Sequence, residues 1–432
     1  MTRDEAVAAI HSSYRPAGRD GHKRIRCLLE LLGNPQDTLR FVHITGTNGK
    51  GSTAAMLDSI LCAAGYCTGR FVSPYLERFE ERITVNGEQI PEAALVSCLR
   101  TVQSAVPELE RRGHTPPSEF ETVFAIALLH YQKEQCDIVV LEAGIGGSRD
   151  ITNLIQTPEA AVITSVSLDH TKQLGATLAE IAKDKAGIIK QGGRAVVYPV
   201  QELEAANVIE LHAFGQKAEL IVPDPSQLEV TYASLEGNAF TYRGEFYELP
   251  LAGMHQPLNA VTVLETVEVL RNRGFDLPYQ AVRAGLDGVR FPGRLELVGE
   301  APIRVVDGGH NPGGMEALSR AVEQLLRPEV DRLIVVFGMM ADKAWQPCLQ
   351  TAAQMADVLI LTTPTDQRAL DPEEAKRCSS CPDTRVEKDP RAALAQARRL
   401  AGEQDGILVC GSIYLAGELR GPLAQGETAS DV

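Results

Sequence analysis

The sequence has no surplus of basic residues. Its 42 lysines and arginines face 57 aspartates and glutamates, a formal charge of −15 at pH 7. A general nucleic-acid binder presents a basic surface, and an anionic membrane repels such a chain, so neither partner is expected. Long apolar runs are missing too. The longest, Leu333 to Ala341, is about half of the ~20 residues a membrane helix needs. The N-terminus, Met1-Thr2-Arg3-Asp4-Glu5-Ala6, lacks the basic-then-apolar layout of a secretory leader. The nine cysteines are scattered and odd in number, which suits reduced thiols in a cytoplasmic protein. Cys378 and Cys381 have CxxC spacing but no second pair to complete a zinc site. There is no repeat and no low-complexity tract. What remains is an ordinary globular composition, 44% hydrophobic and 23% charged. At roughly 150 residues per domain, the 432 residues allow two or three domains.

Short apolar runs alternate with longer amphipathic stretches. Phe41 to Ile44, Asp137 to Leu141, Ala161 to Ser165 and Ala195 to Val200 read as strands. Continuous apolar strands separated by helices indicate a mostly parallel sheet covered on both faces. Between Glu219 and Leu251 a β-rich patch interrupts this, with turns at Gly237-Asn238 and Gly244. It reads as an antiparallel edge extension of the first domain. A second series follows Gly293-Arg294, with strands at Ile303 to Val306, Leu333 to Phe337, Val358 to Leu361 and Ile407 to Val409. The expected fold is therefore α/β. A P-loop domain over 1–296 carries the small antiparallel patch, and a smaller Rossmann-like domain spans 297–432. The cleft between them is the expected active site.

The sharpest motif is Thr45-Gly46-Thr47-Asn48-Gly49-Lys50-Gly51-Ser52, between a strand and a helix. Glycines let backbone N–H groups turn toward phosphate oxygens, and the helix N-terminus adds positive potential. Lys50 can reach the β- and γ-phosphates of ATP, and the Ser52 hydroxyl can meet phosphate or Mg²⁺. Glu142 ends a strand, where ligands bind in open α/β sheets, and His170 follows the next strand at the same edge. A carboxylate and an imidazole there suit Mg²⁺, or Mn²⁺.

The string Gly46 to Ser52 resembles the phosphate loop of the Mur ligase superfamily. In its GTNGKGS form it resembles folylpolyglutamate synthase and dihydrofolate synthase. The resemblance runs from Ile25 to Leu419, through further motifs in family order. It implies that Ser73, in Ser73-Pro74-Tyr75, joins Glu142 and His170 as a metal ligand. The family string is Ser-Pro-His, so the role of Tyr75 toward the folate is open. Arg82 either meets a substrate carboxylate or is a solvated surface arginine. Lys185, in Lys183-Asp184-Lys185-Ala186-Gly187, matches the family lysine carbamylated by CO₂, whose carbamate also ligates the metal. Gly253-Met254-His255-Gln256-Pro257-Leu258-Asn259 makes Asn259 a nucleotide contact. Phe291-Pro292-Gly293-Arg294 makes Arg294 a phosphate clamp, a hinge salt bridge to Glu296 or Asp307 being the alternative. In Asp307-Gly308-Gly309-His310-Asn311, Asp307 would meet the ribose and His310 either the incoming amino acid or the phosphates. Phe337 to Lys343 also matches a family string but receives no role. Ser148-Arg149 and Phe124 depart from the pattern near the expected pterin region.

The resemblance thus implies a ligase that uses ATP, Mg²⁺ and K⁺ to add L-glutamate to a folate through an acyl phosphate. A cytoplasmic monomer is expected. Two alternatives are another amino-acid ligase of the superfamily and an inactive paralogue that only binds ATP or folate. The first would need a separate nucleotide-sugar-binding domain ahead of the loop. The second sits poorly with the joint presence of Lys50, Glu142, His170 and Lys185.

Overall fold

The computed structural model describes residues 1–13 and 21–425. The chain forms two compact units: unit 1 comprises 1–166, 172–224 and 259–286, and unit 2 comprises 167–171, 225–258 and 287–432.

Unit 1 is built on eight strands: β1 (Phe41–Thr45), β2 (Thr68–Phe71), β3 (Ile83–Val85), β4 (Glu88–Gln89), β5 (Ile138–Glu142), β6 (Ala160–Ile163), β7 (Arg194–Val197) and β8 (Glu219–Ile221). They lie in the order β4-β3-β2-β5-β1-β6-β7-β8. β2 to β8 pair in parallel through β5 and β1, and only the β2-β3-β4 edge is antiparallel. β1 and β5 are buried along their whole length, which explains their mostly apolar character. β1 holds two polar residues, Thr45 at its end and His43, whose Nε2 lies 2.9 Å from Thr152 Oγ1. Burial, helped by the charge of Lys190, pushes His43 down to about 3, so it sits in the core as a neutral ring. One core layer gathers Phe71, Phe124 and Tyr131. Another gathers Ile163, Ile181 and Ile209.

In unit 2, β9 (Leu228–Ala233), β10 (Asn238–Tyr242) and β11 (Glu245–Leu249) form a separate antiparallel sheet. This corrects the expected edge extension. Among the described residues the three strands pair only with one another, so the patch is a sheet of its own and no edge of the first. The second sheet of the unit has β12 (Glu296–Glu300), β13 (Ile303–Val306), β14 (Leu333–Phe337), β15 (Val358–Leu361), β16 (Thr384–Val386) and β17 (Gly406–Cys410). Their order is β12-β13-β17-β14-β15-β16, and only β12 runs antiparallel to its neighbour. Four of these strands were legible as apolar runs. β12 and β16 are short, half-exposed edges without such a run. Among the described residues no helix is long and apolar enough to cross a membrane.

Candidate active site

The phosphate loop leaves the C-terminal end of β1 between its two parallel neighbours. Glu142 ends β5 beside Ile44, and Ile163 of β6 pairs with Thr45. β6 then continues into Thr164 and Ser165, which hold the loop. Thr47 N donates to Ser165 O at 2.7 Å, and Thr164 Oγ1 donates to Asn48 O at 2.7 Å. The fit demands glycine. A Cβ at Gly46 would stand 1.8 Å from Thr164 Oγ1. A Cβ at Gly49 would stand 2.6 Å from Asn259 Oδ1, and Gly49 has a φ of +86°. Asn259 is buried directly against the loop, so the expected nucleotide contact lies beside the phosphate site. Helix Lys50–Ala63 starts at this point with Gly49 as its cap.

Two lysines converge on the loop. Lys50 Nζ donates to Gly46 O and Thr47 O, each at 3.1 Å, and stands 4.0 Å from Glu142 Oε1. Lys185 is buried, and its Nζ donates to Gly46 O at 2.7 Å. It is carried by helix Leu178–Ala186, which Thr177 and Glu180 fix with a reciprocal capping box. Glu142 Oε2 accepts the Ser73 backbone N–H at 3.4 Å, so the two residues are neighbours. Among the described residues no three His, Cys, Asp or Glu side chains converge on a metal position. The expected set contains only two of those types, with a hydroxyl and a modified lysine as the others.

The segment after Glu142 is fastened to the same helix. Asp184 accepts Gly147 N at 2.8 Å and Ser148 Oγ at 2.7 Å. The Ser148 departure therefore has a structural use, and Arg149 is an exposed neighbour that donates to Gln173 O at 2.6 Å. Asp150 is buried. Burial lifts it above the usual carboxyl range, against the pull of the Thr152 hydroxyl and the Ile145 and Thr152 N–H groups. Phe124 is corrected to a core residue, fully buried with its ring 5.7 Å from that of Phe71. The helix periodicity instead turns Phe120 to the loop, in contact with the Gly144 backbone.

Arg82 is not a solvated surface arginine. It is buried, its guanidinium lies 5.8 Å from the Phe120 ring, and its Nη1 donates to Glu119 Oε1 at 3.2 Å. Burial alone would raise Glu119, but His11 and Arg82 hold it below its ordinary value. Tyr75 is half-buried beside Phe79, with its hydroxyl 3.5 Å from His11 Nε2. Sequence reasoning had no signal for His11, which reaches this cluster from the distant helix Arg3–Ser12.

A second cluster lies in unit 2. Asp169 accepts Lys343 Nζ at 2.9 Å and Asn311 Nδ2 at 3.2 Å. His170 Nε2 stands 3.3 Å from Lys343 Nζ, and its backbone φ is +49°. Burial would raise Asp169, but Lys343, His170 and His310 together hold it well below the carboxylate range. Lys343 is the residue sequence reasoning left without a role. Its signal was its position in the loop after β14, at a strand end where ligands bind. His310 is pushed down to about 4 by burial and by Lys343. Its Nδ1 lies 2.9 Å from Gly308 O. A carbonyl only accepts, so Nδ1 carries the proton and Nε2 offers a lone pair.

Asp307 and Arg294 stand at the start of this domain's sheet. Asp307 accepts Leu295 N at 2.9 Å and Gly309 N at 2.6 Å, so its carboxylate shapes the Gly-rich turn. Arg294 forms no salt bridge to Glu296 or Asp307. Glu296 is taken by Arg420 at 2.7 and 2.8 Å. Arg294 lies 5.5 Å from the Phe291 ring and donates to Gly293 O at 3.4 Å, so its charge has no carboxylate partner among the described residues.

Residues 44–267 match the Mur ligase middle domain, and residues 293–413 match the Mur ligase glutamate ligase domain. The chain is 36% identical to folylpolyglutamate synthase of Lacticaseibacillus casei, over 99% of this chain and 100% of that protein. It is 33% identical to the dihydrofolate synthase/folylpolyglutamate synthase of Bacillus subtilis, over 96% and 98%. Among solved structures, Mycobacterium tuberculosis folylpolyglutamate synthase complexed with ADP matches with a TM-score of 0.89 at 31% identity, over 98% of both chains. Escherichia coli FolC in complex with DHPP and ADP matches with a TM-score of 0.85 at 29% identity, also over 98% of both. The chain belongs to the folylpolyglutamate synthase/dihydrofolate synthase family of the Mur ligases.

Proposed function

We propose that the protein is an ATP-dependent ligase that joins L-glutamate to a folate by an amide bond. Tetrahydrofolate is the acceptor that is extended, and dihydropteroate is a second acceptor that becomes dihydrofolate. The observation that carries this reading is the Gly46 loop, with Lys50 and Lys185 both bonded to its first carbonyl and Glu142 beside it.

A carboxylate does not react with an amine in neutral water, because oxide is a poor leaving group. Transfer of the ATP γ-phosphoryl group to the folate carboxylate gives an acyl phosphate, from which phosphate leaves easily. The loop N–H groups and Lys50 would offset the charge that develops during this transfer. Arg294, which lacks a carboxylate partner, suits phosphate oxygens in the same way. Asn259, an amide against the loop, can donate to or accept from the nucleoside. The glutamate amine then attacks the acyl carbon. His310, neutral with Nε2 as an acceptor, can take a hydrogen bond from that amine. Arg82 and Tyr75 are the proposed acceptor contacts, and Asp307 is proposed to act through the turn it shapes.

The Glu142 carboxylate, with Ser73 held beside it through its backbone N–H, suits a hard cation such as Mg²⁺, and Mn²⁺ by the same chemistry. His170 and a carbamate on Lys185 would complete the set. Bound there, the ion would screen phosphate charge. K⁺ is the proposed monovalent activator, and the proposed working form is a cytoplasmic monomer. The test is ADP release that depends on glutamate, with tetrahydrofolate or dihydropteroate, in Mg²⁺, K⁺ and bicarbonate. Release with neither acceptor would sink the reading.

A further inference from the structure

The far end of unit 1 carries a cavity that the ligase chemistry does not use. Its volume is about 600 Å³, within the range of small-molecule sites. Arg40 and Phe41 line it, so it opens at the start of β1, whereas the phosphate loop leaves the end of the same strand. Five strand residues put the two roughly 15 Å apart.

Two cations line this cavity without an ion-pair partner among the described residues. Arg26, on helix Gly21–Leu31, is exposed and forms no ion pair among the described residues. Lys190 is half-buried and donates to Asn153 Oδ1 at 2.7 Å, a neutral partner. Burial and the nearby Arg26 hold Lys190 below its ordinary value, a sign that the two charges face each other. Of the two acids in the wall, Glu159 is ion-paired and Asp37 has only a neutral partner. Glu159 accepts Arg40 at 2.8 Å and lies 4.0 Å from Arg273. Asp37 accepts Gln36 Nε2 at 3.2 Å. The same wall contains Gln36 Oε1, a buried acceptor with no hydrogen-bond partner. Such an atom calls for a donor.

We infer that this cavity is a second anion site, built for a small dianion that also carries an O–H or N–H donor. Arg26 and Lys190 would meet the charge, and Gln36 Oε1 would take the donor. The hydrogen phosphate dianion and hydroxy-dicarboxylates share this chemistry. The bound anion would touch Asn153, which ties the cavity to a segment near the phosphate loop. Asn153 follows Asp150 in the short helix Ile151–Leu154, and its Nδ2 donates to Gly187 O at 3.2 Å, just beyond Lys185.

The inference is independent of the ligase reading, because its test reads binding and no turnover. Calorimetry would titrate inorganic phosphate and, separately, malate into the whole protein. The phosphate loop would first be saturated with a non-hydrolysable ATP analogue and Mg²⁺. At least one of the two anions should bind, and which one does identifies the source. Arg26→Gln should weaken that binding roughly tenfold to hundredfold. Arg26→Gln removes an exposed side chain without an ion-pair partner, so its affinity for the ATP analogue should match wild type and report an intact fold. Lys190→Met should weaken the anion in the same direction. No binding of either anion, or equal binding by wild type and Arg26→Gln, would overturn the inference.

Discussion

Lys185 Nζ donates to the Gly46 carbonyl at 2.7 Å, which ties the end of helix Leu178–Ala186 to the first residue of the phosphate loop. The bond makes one side chain answerable to two demands, loop geometry and the proposed carbamate. Lys185→Arg keeps a donor and a charge but cannot form a carbamate. Both Lys185→Arg and Lys185→Ala should lose about 10²-fold or more in turnover. Wild-type protein in ¹³C-bicarbonate should show a carbamate signal by NMR that both variants lack. A wild-type spectrum without that signal would remove the carbamate from the scheme.

Gly49→Ala attacks the loop from its other side. The new Cβ meets Asn259 Oδ1, and the φ of +86° costs an alanine about 1 kcal/mol. ADP affinity should fall about tenfold or more by equilibrium binding, with a smaller loss of thermal stability. Unchanged ADP affinity would separate Asn259 from the nucleotide site.

The two arginines near Glu296 should behave oppositely. Arg294→Ala breaks no carboxylate pair, so stability should change by only about 0.5 kcal/mol, while kcat/KM falls about 10²-fold. Arg420→Ala removes both guanidinium bonds to Glu296, which keeps the Gly293 N–H, and should cost about 1 kcal/mol in denaturant unfolding, with little effect on the chemical step.

His43 gives a pH signature of the fold. Its ordinary value near 6.5 falls to about 3 in the core. Below pH 6.5 the unfolded chain takes up a proton that the folded chain refuses. Stability from this group is therefore present above pH 6.5 and lost toward pH 3, by about 1.4 kcal/mol per pH unit. His43→Asn should flatten the acid limb of unfolding free energy against pH. An unchanged slope would place a different group behind the acid loss.

The parts of this molecule that were legible in the sequence are those where one stretch of chain contains its own explanation. The Gly46–Ser52 string needs only a strand before it and a helix after it, and β1, β5, β6 and β14 declare themselves by burial on both faces. Relations between distant stretches were not legible. Ser148 looked like a departure near the substrate until Asp184, 36 residues on, was seen to accept its hydroxyl. Phe124 and Phe120 differ by one helical turn, and only packing shows which one meets Gly144. Lys343 became a candidate only when folding placed it against Asp169, 174 residues earlier. The β9–β11 patch has clear strands, but the sequence does not say which sheet they join.

The central claim is that this chain forms an amide between glutamate and a folate. Mass spectrometry of products from parallel reactions with tetrahydrofolate and dihydropteroate, each with ATP, L-glutamate, Mg²⁺, K⁺ and bicarbonate, tests it most directly. The account predicts a product heavier than its acceptor by one glutamyl residue, formed with equal release of ADP and phosphate. Unchanged acceptor in both reactions, from protein that still binds ADP, would contradict it.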